Sequence, residues 1–98
     1  MVDLEKTAGF EWDENNIDKN YKKHGITPRE AEELFLDEDL LLLEDIEHSK
    51  KEERFIAIGK TADNMILFAV FTMRDDKVRI ISVRIANEKE RRKYAEKI

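Results

Sequence analysis

Two strand-like runs joined by four polar residues constrain this chain more than anything else in it. Met65–Thr72 is almost wholly apolar, Val78–Ala86 is a second long β-rich run, and Arg74-Asp75-Asp76-Lys77 lies between them. A connector that short and polar favours an antiparallel hairpin. A run that is apolar on both faces belongs at the centre of a sheet covered on each side.

Other elements arrange themselves around this hairpin. Phe10 and Trp12 alternate with Glu11, as in a short first strand with both aromatics facing inward. Asp13 is a candidate N-cap for a helix through His24, with Gly25 at the left-handed position beyond it. Ile17, Tyr21 and His24 share one face of that helix, while Lys19, Lys22 and Lys23 lie off it. A second helix starts at Thr27-Pro28-Arg29-Glu30, where Thr27 caps, Pro28 occupies N1 and Glu30 completes a capping box. Ala31, Leu34 and Phe35 form its buried stripe, and it should end near Asp37. Leu40–Leu43 is a short apolar run, and Arg54–Ile58 reads as a strand that stops at Gly59. Asn87 caps a last helix with Glu90 as its reciprocal partner. The order is β-α-α-β-β-β-β-α, an α+β fold with helices packed against an antiparallel sheet.

With 98 residues, 41% of them apolar, the chain suits a single domain spanning 1–98 and is too apolar for wholesale disorder. It has no cysteine, which fits a reducing compartment and excludes a thiolate zinc site. Residues 1–10 carry Asp3, Glu5 and Lys6 and no apolar core of a signal peptide. The longest apolar stretch, Met65–Phe71, is far short of the ~20 residues that span a bilayer. A soluble cytoplasmic protein without membrane association is expected.

The net charge of −5 is unevenly spread. Residues 1–53 carry 17 acids and 7 bases; residues 54–98 carry 6 acids and 11 bases. Arg29 is the only arginine before Arg54, and Arg74, Arg79, Arg84, Arg91 and Arg92 follow. Such asymmetry fits a polyanion bound to one side, or simply two solvated faces of opposite sign. Under strict alternation Arg79 shares a strand face with Ile81, Val83 and Ile85, and Arg84 shares the other with Val78, Ile80 and Ser82. Guanidinium groups set among apolar side chains require counter-charge, either from Glu52, Glu53 or Asp75 or from an incoming phosphate. Arg74 closes the same hairpin. His24 ends a helix, where it could serve as general acid or base or simply cap the last carbonyls. With His24 and His48 the only histidines, no metal-ligand spacing occurs, and no metal or cofactor is expected. The three glycines form no phosphate loop, and Ser49 and Ser82 lack a nucleophile-elbow context.

Taken in order, several pieces resemble the BrnT toxins of bacterial type II toxin–antitoxin systems. They are Phe10-Glu11-Trp12-Asp13, Asn20 through Lys23-His24-Gly25-Ile26, Glu30-Ala31 with Phe35, and Glu53-Arg54 leading to Ile58-Gly59. Phe71-Thr72-x-Arg74, Arg79-Ile80-Ile81-Ser82-x-Arg84-x-Ala86 and Glu90-Arg91-x-x-Tyr94 complete the set. Val83 stands where the family often has a smaller residue, and the acidic balance is a second departure. The resemblance implies a RelE-like ribonuclease fold and metal-independent cleavage of mRNA by 2′-hydroxyl transesterification, arresting translation and growth. It also implies a cognate antitoxin encoded by an adjacent gene, a dimer of toxin–antitoxin heterodimers, and DNA contact only through the antitoxin. The family's polar positions coincide with Lys23, His24, Glu53, Arg54, Arg74, Arg79 and Arg84.

The roles expected on that basis are these. Arg79 and Arg84 stabilise phosphoryl charge, and His24 is general base or acid. Lys23 adds charge, and Glu53 orients a partner or serves as the base instead. Arg74, Arg54 and Ser82 bind substrate. The alternative is a catalytically inactive toxin-like module that binds its antitoxin and takes part in operon autoregulation. A plain RNA- or DNA-binding domain fits less well, because Phe10, Trp12, Tyr21 and Tyr94 fall mostly on core stripes rather than on a stacking surface.

Overall fold

The computed structural model describes residues 9–11, 25–45 and 52–97. Its elements are β1 (Phe10–Glu11), α1 (Pro28–Glu33) with a following 3₁₀ turn (Leu34–Leu36), and β2 (Leu41–Glu44). Then come β3 (Phe55–Lys60), β4 (Ile66–Arg74), β5 (Lys77–Ile85) and α2 (Glu88–Lys97). The expected helix over Asp13–His24, and Trp12 of the first strand, lie outside the described residues.

The strands form one sheet in the order β1-β5-β4-β3-β2. β4 is central, as its two apolar faces require. It pairs antiparallel with β3 and β5, and β2 pairs antiparallel with β3. β1 instead runs parallel to β5, matching Phe10 to Val78 and Glu11 to Arg79. This corrects the expectation of a wholly antiparallel sheet: the α+β class holds, with a mixed sheet.

The hairpin turn is the two-residue link Asp75-Asp76, both at positive φ (52° and 62°), between paired Arg74 and Lys77. Two positive φ values define the turn whose twist matches the flanking strands, and aspartate tolerates them better than most residues. Further along, β5 departs from strict alternation. Val70 pairs with Ser82 but Phe71 pairs with Ile80, so Ile81 is an extra residue in a β-bulge. Val78, Ile80 and Val83 consequently all face the main core, and Arg79 and Arg84 lie on the same opposite face. The separate faces expected for the two arginines are thereby corrected.

That core lies between the sheet and α1. Ala31 and Leu34 pack with Leu67, Ala69, Phe71, Ile80 and Val83, all nearly inaccessible to solvent. Phe35 bridges Phe10 and Phe71 at ring-centroid distances of 5.5 and 5.1 Å. The Thr27–Glu30 capping box forms as the sequence predicts, with Glu30 N–H donating to Thr27 Oγ1 (3.2 Å) and Thr27 N–H to Glu30 Oε1 (3.0 Å). β3 does not stop at Gly59 but runs through it to Lys60. A side chain at Gly59 would meet the Leu34 carbonyl at 2.6 Å, so this glycine marks a close backbone approach rather than a strand end.

The other face is covered at one end by α2, which packs against β3. Tyr94 donates its phenol hydrogen to Asp37, and Lys97 reaches the Leu40 carbonyl. Asp37 also accepts from the Lys60 and Asp39 amides at 2.9 and 3.0 Å. Burial alone would raise the Asp37 pKa, but these donors outweigh it and hold the carboxyl below its ordinary range. The Tyr94 phenol is pushed well up by burial and then by the Asp37 charge.

Candidate functional site

Among the described residues, the other end of that same face holds a hollow of about 240 Å³ lined by Glu52, Arg54, Thr72, Arg74, Arg79 and Ile81. Strand pairing assembles it. Thr72 of β4 stands opposite Arg79, Arg74 is two residues along from Thr72, and the Phe55–Phe71 pair brings Arg54 to the same level. Thr72 is nearly buried and donates its hydroxyl to the Glu53 carbonyl at 2.7 Å. That bond ties the segment entering β3 to the centre of the sheet. The bulge adds Ile81 to the wall.

Among the described residues, three guanidinium groups and one carboxylate border the hollow. Arg74 and Glu52 are 3.4 Å apart, with side chains 45% and 43% exposed. A solvated pair of that kind contributes at most about 1 kcal/mol, so a phosphate could displace Glu52 from Arg74 at small cost. Planar guanidinium groups can each give two parallel hydrogen bonds to phosphate oxygens. A hollow of about 240 Å³ has room for a phosphoryl group. Among the described residues no three potential metal ligands stand together, and no helix is long and apolar enough to cross a membrane.

The sequence-predicted residues divide sharply. Arg54, Arg74 and Arg79 converge on the hollow. Arg84 does not border it. Its Nη1 and Nη2 bind Glu90 Oε1 and Oε2 at 2.7 and 2.8 Å, and the guanidinium sits 4.2 Å from the Phe68 ring centroid. The Glu90 hydrogen bond raises the Arg84 pKa further. For Glu90, the bonds from Arg84 and the Asn87 amide outweigh burial and lower the carboxyl below its usual range. Phe68 lies four residues from Thr72 along β4, roughly 13 Å at ~3.3 Å per residue.

Glu53 is exposed and contributes its main-chain carbonyl to Thr72, and Ser82 is exposed opposite Val70. Lys23 and His24 lie outside the described residues. The sequence reading missed Glu90 as the partner of Arg84. Its signal was present in the Asn87–Glu90 cap, six residues from Arg84. The place of Glu52, Thr72 and Ile81 in the wall depends on pairing register, which single-sequence periodicity does not supply.

A comparison with solved structures finds the crystal structure of the ribonuclease toxin BrnT of Brucella abortus. The likeness has a TM-score of 0.63 at 24% identity, covering 84% of this chain and 100% of that one, and it concerns the fold. No curated protein sequence matches. Residues 12–90 match the family model described as the ribonuclease toxin BrnT of type II toxin–antitoxin systems. With most of its length covered, the chain belongs to the BrnT family of ribonuclease toxins.

Proposed function

We propose that this chain is an endoribonuclease that cleaves RNA without a metal, through attack of a 2′-hydroxyl on the adjacent phosphate. The observation that carries the reading is the convergence of Arg54, Arg74 and Arg79 on one hollow. Metal-free cleavage needs a cation at the scissile phosphate, a base for the 2′-hydroxyl and an acid for the 5′-oxygen. Arg79, at the centre of the row, stabilises the phosphoryl charge. Arg74 and Arg54 position the strand, and Lys23 adds charge. His24 is the acid–base histidine, and Glu53 helps to orient the entering strand. Arg84, occupied by Glu90, is assigned to holding α2 in place rather than to the phosphate.

The same reading includes mRNA as the substrate in a cytosolic setting, a neutralising antitoxin encoded nearby, a RelE-like element order, and DNA contact through the antitoxin in a dimer of heterodimers. The test is cleavage of single-stranded RNA in excess chelator by wild type, Arg79→Ala and Arg74→Ala. Wild type should be unaffected by chelator, and Arg79→Ala should lose ~10²–10³ in rate, as for removal of one preorganised charge-stabilising donor. Loss of activity on chelation would end the metal-free proposal. An inert wild type that still binds its antitoxin would leave only an interaction module.

A further inference from the structure

Among the described residues, two large apolar side chains stand well out into solvent, Leu36 at 78% exposure and Ile85 at 55%. Single exposed apolar residues are ordinary on a protein surface, but these two are not scattered. Gly59, Leu67 and Ile85 are paired in one row across β3, β4 and β5, and residues directly paired project to the same face. A side chain at Gly59 would meet the Leu34 carbonyl, so the 3₁₀ turn that ends at Leu36 lies over that row, on the α1 face. Ile85 is two strand spacings from Gly59, about 10 Å. Both side chains therefore mark the same end of the face opposite the arginine hollow.

Leu36 also stands between two further hollows. One, of about 510 Å³, is lined by Arg29, Glu32, Glu33, Leu36 and Ala62; the other, of about 250 Å³, runs from Leu36 and Ala62 to Asp37 and Lys60. Their walls are tied together within the chain. Ala62 N–H donates to Glu33 Oε2 at 2.9 Å, and Lys60 N–H to Asp37 Oδ2 at 2.9 Å. Segments 32–39 and 60–63, which meet here, carry six acids and one base. Arg29, its side chain 91% exposed, lies 3.7 Å from Glu33, a solvated pair that a competing cation displaces readily.

We propose that this end of the α1 face anchors the antitoxin. The segment it takes seats apolar side chains against Leu36 and Ile85 and sets lysines or arginines opposite the acidic rim. The assignment rests on the toxin–antitoxin reading above, since the family supplies the protein partner. Charge selects the face: a cationic segment is drawn to the acids of 32–39 and 60–63 and repelled by Arg54, Arg74 and Arg79 behind the sheet. A second copy of this chain fits worse, because a twofold pairing of this face with itself sets acid against acid. Anchor and arginine hollow thus lie on opposite faces, and holding the antitoxin does not require it to enter the hollow.

The test titrates the full chain against the purified product of the adjoining reading frame and measures RNA cleavage by the same preparations. Leu36→Ala should raise the Kd ~5–30-fold, the range for truncating an apolar anchor at an interface, and Leu36→Glu should raise it further. Glu32→Lys should weaken binding and reduce its salt dependence. Both Leu36 variants should unfold at the wild-type temperature and cleave RNA at the wild-type rate, since this side chain lies outside the core. Arg79→Ala should do the reverse, losing cleavage and keeping the antitoxin. Wild-type affinity in Leu36→Glu overturns the anchor. So does an affinity loss in Arg79→Ala equal to that in Leu36→Glu, which would put the antitoxin in the hollow. Self-association of the wild type that Leu36→Glu abolishes while still binding the antitoxin overturns it as well. A wild type that does not bind the neighbouring product overturns the toxin–antitoxin reading together with the anchor, whereas one that binds it without cleaving RNA removes the ribonuclease reading alone.

Discussion

Glu90 joins a helix cap to a strand through one carboxylate. Its Oε1 accepts from the Asn87 amide at 2.9 Å, its own amide donates to Asn87 Oδ1 at 2.8 Å, and both oxygens hold Arg84. One side chain thus caps α2 and fixes it to β5. Losing a cap costs about 1 kcal/mol, and a charge-assisted hydrogen bond contributes roughly 1.5–3 kcal/mol before solvent discounts it. Glu90→Ala should therefore destabilise the fold by about 1–3 kcal/mol in a urea titration, while Arg84→Ala should do so without abolishing RNA cleavage. The pH dependence has a definite sign. Asp37 and Glu90 both have folded pKa values below their ordinary ones. Their contributions are complete above about pH 5 and are lost as acidification passes first their unfolded values near 4 and then their folded ones. Glu90→Gln should flatten that acid loss of stability, as urea titrations between pH 3 and 6 would show.

Among elements, β5 shows best what a sequence does and does not announce. Its existence, its partner β4 and its turn were legible because β-rich runs flank a short polar connector. Which side each residue takes was not, because one unpaired residue, Ile81, inverts the alternation beyond it. A bulge depends on how two strands meet, and no periodicity within one strand records it. Gly59 is similar: glycine punctuates many strands, and only the Leu34 carbonyl shows why this one lies within a strand. The caps of α1 and α2, by contrast, are local hydrogen-bond problems, and both formed as read. Gly59→Ala should cost about 1–3 kcal/mol through overpacking against that carbonyl. Asp76→Gly should add about 0.5 kcal/mol by relieving a positive φ. Thermal unfolding of the two variants checks both signs. The arginine trio of the site was legible as residues, but its meeting point was not.

At the scale of the whole molecule, an acidic protein can still bind a polyanion if its charges are segregated. α1 carries Glu30, Glu32 and Glu33 against Arg29, on the far side of the sheet from Arg54, Arg74 and Arg79. If those three arginines meet phosphates, log Kd for single-stranded RNA should rise with log salt at a slope of about 2, using ~0.7 per phosphate contact. Glu52→Gln should tighten binding, and filter binding across a salt series measures both effects. The union of Tyr94 with Asp37 and of Lys97 with Leu40 spans 57 positions in each case. A growing polypeptide emerges N-terminus first, so the bend at 37–40 waits for its clasp until residues 94–97 are free. A chain truncated before Tyr94 therefore lacks both ties and has nothing to hold α2 against the bend at 37–40.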